Sequence, residues 1–199
     1  MTQGVRHVAY FAAVSKFHFP EETIMRRVRY CVAASLDAYI AGPNGEFDWI
    51  IPDPTIDFSA LFSEFDILLM GRRTFEITLS MEQDGSLPRM RTYVFSRTLR
   101  AEQFPDVTIV ANDAANTVAA LKAENGKDIW LFGGGELFRH LLEAKLVDTV
   151  EVAIVPVLLG QGIPLLPTMA ERTRLELAST KPYPSGIVSL GYNVRYEPV

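Results

Sequence analysis

Apolar and polar residues alternate along this chain with two different periods, and the switch between them outlines a fold. Arg27 to Ala34 alternates and is partly β-branched, which predicts a strand; Gly42, Pro43, Asn44 and Gly45 then predict a loop. Ile56 to Phe65 carries apolar residues at 58, 61, 62 and 65, a helical spacing. The run "DILLM" (66–70) predicts a short buried strand ending at Gly71, followed by a helix over Arg72 to Leu79. Strands are expected at Thr92 to Ser96 and Val107 to Ala111. A helix over Ala114 to Glu124 comes next, with Asp113 as N-cap and Asn125-Gly126 as its stop. Ile129 to Phe132 predicts a strand that passes through three glycines into a helix over Glu136 to Glu143. The last third changes character: Thr149 to Leu159, Leu175 to Lys181 and Ile187 to Glu197 all read as strands, with no helix between them.

Strands alternating with helices, then a run of strands, predict a mostly parallel mixed sheet with antiparallel C-terminal strands. Helices on both faces would bury the runs at 66–70 and 129–132. The fold class expected is α/β, a three-layer α/β/α sandwich in one domain over residues 25–199. Residues 1–24 read as an N-terminal extension: "VAYFAAV" is too short to span a membrane and lacks a secretory-type cleavage site.

Composition narrows the partners. Apolar residues make up 48% and charged residues 22%, the balance of an ordinary globular protein. A net charge of −5 argues against bulk binding to nucleic acid or an anionic membrane. The single cysteine, Cys31, gives no disulfide framework and no thiolate zinc site, and His7, His18 and His140 are too scattered for a metal cluster. A cytoplasmic setting and no metal are expected.

Candidate chemistry gathers at strand-to-helix junctions. In "LLMGRRTFE" (68–76) and "WLFGGGELF" (130–138), glycine precedes a helix whose first N–H groups favour a phosphate. Gly71, Arg72, Arg73 and Thr74 offer amide, guanidinium and hydroxyl donors; Gly133, Gly134 and Gly135 offer close backbone approach. Either junction alone is equally a tight turn of an α/β fold. Neither matches the P-loop or the G-x-G-x-x-G fingerprint, so a Rossmann NAD site is disfavoured. "YVFSRTL" (93–99) adds Ser96 and Arg97 beside a strand end. Three arginine forks in an acidic chain are what a 2′-phosphate site would use, or three solvated surface residues. In "ASLDAYIAGPNGEFDWI", Asp37 and Asp48 can hydrogen-bond a nitrogen heterocycle with Trp49 as a wall, or else cap turns and fill core. No Ser-His-Asp or Cys-His arrangement can be assembled.

Taken in order, "VAASLDAYIAGPNGEFDWI", "DILLMGRRTFE", "YVFSRT", "LFGGGELFRHLL", "VDTVEVAIVPVLLGQGIPLL" and "GIVSLGYNVRY" resemble the dihydrofolate reductase superfamily. Within it they are similar to stand-alone relatives of the reductase domain of riboflavin biosynthesis. The resemblance spans Met25 to Tyr196. It implies hydride transfer from NADPH to a pterin- or aminopyrimidine-type heterocycle, in a protein that commonly forms homodimers. It assigns Gly71 to Thr74 to the cofactor phosphates and Ser96-Arg97 to the 2′-phosphate. Gly133 to Gly135, with Glu136, Leu137 and Phe138, fall along the pyrophosphate and nicotinamide, and Ala34, Ile40 and Ala41 frame the nicotinamide.

The departures concern the substrate. The acid that helps protonate the pterin in dihydrofolate reductases has Asp53 and Asp57 near its position, and Ala153 stands where those enzymes carry a threonine. Where the riboflavin reductases have a lysine and a glutamate, this chain has Tyr39 and Phe132. Losing the lysine removes a cationic partner for a phosphoribosyl group. The leading reading is an NADPH-dependent reductase in which Asp37, Asp48 or Asp57 hydrogen-bonds the substrate ring, with Asp37 the candidate catalytic residue. The alternative is a nucleotide- or drug-binding module that kept the fold and lost turnover.

Overall fold

The computed structural model describes residues 26–82, 90–169 and 171–196; the expected extension at 1–24 lies outside them. In chain order the elements are β1 Val28–Ser35, β2 Tyr39–Ala41, α1 Phe58–Phe62, β3 Phe65–Gly71, α2 Arg72–Glu82, β4 Arg91–Phe95, β5 Thr108–Val110, α3 Ala114–Ala123, β6 Asp128–Gly133, α4 Gly135–Glu143, β7 Thr149–Val155, β8 Ile163–Pro164, β9 Arg174–Pro182 and β10 Val188–Arg195.

Eight strands form one sheet in the order β5-β4-β3-β6-β1-β7-β10-β9. Pairing is parallel from β5 to β7, and β10 and β9 add antiparallel. The central strands bury both faces, which is why β3 and β6 read as near-continuous apolar runs. One face packs Leu61 of α1 and Phe75 of α2 against Cys31, Ala33, Trp130 and Phe132. The other packs Val118 and Leu121 of α3 and Leu141 and Leu142 of α4 against Tyr30, Val32, Ile67 and Leu131. The three-layer architecture is as expected. No helix among the described residues is long and apolar enough to cross a membrane.

Several boundaries differ from the sequence pattern, each for a physical reason. The helical spacing at 56–65 yields only Phe58–Phe62. Phe65 instead starts β3, where its ring stacks 5.2 Å from that of Trp130. Strand β7 stops at Val155 because Pro156 has no N–H to continue the ladder. Helix α3 begins at its expected cap, Asp113, whose carboxylate accepts from Asn116 N. It ends at Glu124 in an extended conformation rather than on Gly126. A Cβ on Gly126 would come within 2.5 Å of the Asp66 carboxylate, so close packing against the Arg26–Asp66 ion pair explains that glycine.

One end of the sheet carries a buried ion network. Arg29 donates from Nε and Nη2 to the two oxygens of Glu151, at 2.7 Å each, and from Nη1 to Glu64 at 2.6 Å. Arg29 is 1% and Glu151 0% exposed. Thr149 Oγ1 also donates to Glu151, at 2.7 Å. Burial works against the guanidinium's charge, but Glu151 and the hydrogen bonds outweigh it and hold the pKa above its ordinary value. The same burial, with the Glu151 charge, pushes the Cys31 thiol well up, so it stays protonated. The network ties β1 to β7 and leaves the C-terminal ends of the strands to the site.

Candidate functional site

A cavity of about 1160 Å³ opens at the C-terminal ends of the parallel strands, the end where α/β sheets bind ligands. That exceeds the roughly 300–1,000 Å³ typical of a site for one small molecule. Its wall follows the strand order. Ser96 and Arg97 come from the end of β4, Gly71 to Thr74 from the β3–α2 junction, and Gly133 to Leu137 from the β6–α4 junction. Val32 and Ala33 of β1, with Ile40 and Ala41 of β2, complete it.

The cationic end is organised by short-range bonds. Ser96 Oγ accepts from Thr98 N at 3.2 Å and Leu99 N at 3.1 Å, which closes the turn after β4. That turn presents Thr98 Oγ1 to Arg72 Nη1 at 3.1 Å, so the first residue of α2 is held toward the Ser96-Arg97 turn. Arg73 and Arg97 are exposed and have no ion-pair or hydrogen-bond partner among the described residues. Asp113 and Glu136 also reach the wall, but Asp113 caps α3 and Glu136 is paired with Arg139 at 2.7 Å. Three arginines therefore dominate this end.

The middle of the cavity is built by two glycine turns facing each other. Gly134 has φ +96°, a region that glycine enters without a steric cost. A Cβ there would lie 3.6 Å from Thr74 Oγ1 and 3.7 Å from Gly71 N, inside the crevice between the two turns. A Cβ on Gly71 would meet nothing within 4 Å, so that turn borders open space. Helix α2 starts at Arg72 and α4 at Gly135, and Gly134 supplies no side-chain cap to α4. Two helix N-termini, that of α4 without a side-chain cap, thus converge on one crevice, which fits a pyrophosphate. With three arginines at one end and an apolar slot at the other, the residues present fit a phosphorylated dinucleotide.

The apolar end differs sharply. Val32, Ala33, Ile40, Ala41, Ile77 and Phe132 line it, and the short β2–β8 ribbon closes it with Ile163 and Pro164. Sequence pattern missed this lining because β8 is two residues long and reaches the site only through pairing with β2.

Most of the expected cofactor residues come together on this wall: Ile40, Ala41, Gly71, Arg72, Arg73, Thr74, Ser96, Arg97, Gly133, Gly134, Gly135, Glu136 and Leu137. Two do not. Ala34 is fully buried in the core layer that also holds Tyr30 and Val32. Phe138 stacks on Tyr30 at 3.8 Å within that same core.

The expected substrate and catalytic residues are all off the wall. Asp37 is a loop clamp: its carboxylate accepts from Ser35 Oγ at 2.6 Å, Leu159 N at 3.1 Å and Gly160 N at 2.7 Å. The Ser35 hydroxyl first, then those amides, draw its pKa below the ordinary carboxylate value. Asp57 caps α1 through Ala60 N at 2.9 Å. Asp48 is exposed, and Trp49 packs on the core while its Nε1 donates to Glu46 O at 3.0 Å. Asp53 is buried and accepts from Thr55 N, Thr55 Oγ1 and Ser185 N. The Thr55 hydroxyl and Ser185 hold it well below the usual range, so it is no proton donor at neutral pH. His140, given no role by its sequence context, does line the cavity, one helical turn beyond Glu136.

The family model described as the RibD C-terminal domain matches residues 26–189. The uncharacterized protein YyaP of Bacillus subtilis (strain 168) is 34% identical over 180 residues, covering 84% of this chain and 95% of its own. The crystal structure of a putative riboflavin biosynthesis protein from Shewanella sp. PV-4 superposes with a TM-score of 0.73 at 26% identity, covering 86% of this chain and 99% of that one. A dihydrofolate reductase from Enterococcus faecalis, solved in complex with NADP(H), shares the fold at a TM-score of 0.61 and 19% identity, over 86% and 96% of the two chains.

Proposed function

Because the chain belongs to the RibD C-terminal domain family, whose fold is of the reductase type, we propose that it is an NADPH-dependent reductase of a planar heterocycle, of pterin or aminopyrimidine kind. One observation carries the reading: along the strand order β4, β3, β6, β1 the cavity presents Arg97, then Arg72 and Arg73 at the glycine-bordered start of α2, then the glycine-bordered start of α4, then apolar residues. That is the order of a 2′-phosphate, a pyrophosphate and a nicotinamide along one extended molecule.

Arg72, Arg97 and Ser96 would hold the 2′-phosphate, with Arg73 adding positive charge. The uncapped amides at the start of α4, together with Gly71 and Thr74, would hold the pyrophosphate. Ile40, Ala41 and Ala33 would flank the nicotinamide and keep water from it. When bound, NADPH supplies the hydride; the chain supplies position and exclusion of water. No nucleophile is needed. Titrating the protein with NADPH while following nicotinamide fluorescence tests this directly. A sub-millimolar dissociation constant is expected, and no binding up to a millimolar would overturn it.

A second reading, binding without turnover, is favoured by a specific finding: Asp37, Asp48 and Asp57 all lie off the cavity wall. NADPH binding with no loss of absorbance at 340 nm across a panel of pterins and aminopyrimidines would select it.

A further inference from the structure

We infer that Asp37 is a positioning residue: it sets the apolar end of the cavity by fixing the β2–β8 ribbon, and touches no ligand itself. The inference rests on the NADPH-reductase reading and goes further, to a residue that governs how tightly the nicotinamide half is held. Ile40 and Ala41 of one strand and Ile163 and Pro164 of the other line that end, with Gly162 beside them. Asp37 is off the wall, yet it bonds to the approaches of both strands.

The ribbon has little else to hold it. β2 is three residues long and β8 two, and an isolated pair of strands is marginal even when longer. The segment 156–169, which carries β8, contains no charged residue. Backbone bonds fasten it at two points, from Leu36 N to Val157 O and from Leu165 N to Ala38 O, at 2.9 Å each. Between them the Asp37 carboxylate accepts from Leu159 N at 3.1 Å and from Gly160 N at 2.7 Å. Among the described residues no other side chain hydrogen-bonds residues 158–164. The same carboxylate accepts from Ser35 Oγ at 2.6 Å, and that oxygen accepts from Tyr39 N, the first amide of β2, at 2.9 Å. One carboxylate therefore fixes the entry to both strands.

A shift of β8 reaches the wall directly. A Cβ on Gly162 would collide with Ala41 O, so the two strands sit against each other with no slack. Hydrogen bonds from amides to a carboxylate are roughly twice as strong as neutral ones. Without the carboxylate, two amides lose their acceptor and the ribbon samples more positions. A ligand packing on Ile40, Ala41 and Ile163 then bears the entropy cost of ordering it. The arginine end is built from β3 and β4, which Asp37 does not bond. A ligand confined to that end is unaffected.

Two ligands and a control variant test this. NADPH spans the cavity in this reading, whereas adenosine 2′,5′-bisphosphate carries the 2′-phosphate but no nicotinamide; each is titrated by calorimetry well below the melting temperature of the protein used. Wild type that fails to bind NADPH sinks the cofactor reading, and this inference with it; wild type that binds leaves the variants to decide this one alone. Asp37→Ala is expected to weaken NADPH ten-fold or more and the bisphosphate less than three-fold. Asp37→Asn, which keeps one acceptor oxygen, is expected to shift NADPH the same way by less, and serves if Asp37→Ala does not fold. Asp53→Ala removes a comparable clamp, on Thr55 and Ser185, that lies off the wall. It is expected to lower the melting temperature and leave both affinities within three-fold. With no ligand present, amide hydrogen exchange within residues 39–41 and 158–164 is expected to be ten-fold or more faster in Asp37→Ala. Equal losses for the two ligands, unchanged NADPH affinity, unchanged exchange in these residues, or the same selective loss in Asp53→Ala overturns the inference.

Discussion

A methyl group placed on Gly134 would stand 3.6 Å from the hydroxyl oxygen of Thr74. The loop after β6 and the first turn of α2 therefore face each other closely in the cavity. Gly134→Ala would force an L-residue to φ +96° and fill that gap. Strain of this type costs about 1–3 kcal/mol. The expected outcome is a lower midpoint in urea and NADPH affinity reduced ten-fold or more, read by denaturation and by fluorescence titration on the same sample.

Arg29 and Glu151 form a buried ion pair at the opposite end. Glu151→Leu leaves Arg29 with Glu64 and Asp128 but removes its fully buried partner. Breaking a buried pair from one side costs about 3–5 kcal/mol. The double change Arg29→Met with Glu151→Leu is expected to recover most of that loss in equilibrium unfolding. A double variant no more stable than Glu151→Leu alone would show that the pair itself holds the strands.

Asp53 gives a pH signature of the loop it clamps. Its folded pKa lies below the unfolded value because Thr55 and Ser185 bind the carboxylate. The stabilisation is therefore fully present above about pH 4 and is lost as pH falls through the folded value. Asp53→Asn is expected to lower the melting temperature at pH 7 and to lack that portion of the acid-induced loss, measured as melting temperature against pH.

Asp37 is expected to matter for structure and not for proton transfer. Asp37→Asn keeps acceptance at one oxygen and weakens the bonds from Leu159 and Gly160. A lower melting temperature with an unchanged pH profile of kcat/KM is the expected result; loss of an acidic limb from that profile would restore a catalytic role.

The glycine- and arginine-bearing part of the cavity wall was legible in the sequence because its signals are local. "GRRT", "FSRT" and "LFGGGEL" each place donors within a few residues of a strand end, so naming the strand locates the site. The place of the loop aspartates was not, because a carboxylate in a glycine-rich loop competes for nearby backbone N–H groups. Asp37, Asp53 and Asp57 are all used that way. Ala34 and Phe138 pack in the core layer with Tyr30 and do not reach the cavity wall. Ile77 and Ile163 reach the wall only through tertiary packing and the β2–β8 pairing. The Arg29–Glu151 pair had a faint signal, a charge interrupting each of two otherwise apolar strands.

The central claim, that Arg72 and Arg97 read the 2′-phosphate of NADPH, is tested most directly by binding both reduced cofactors to the Arg72→Ala, Arg97→Ala double variant. Both residues are solvent-exposed on the cavity wall; Arg72 donates to Thr98, so the melting temperature of the variant is recorded beside its affinities. NADPH affinity is expected to fall ten-fold or more while NADH affinity changes less than three-fold. Equal losses for the two cofactors would contradict the assignment.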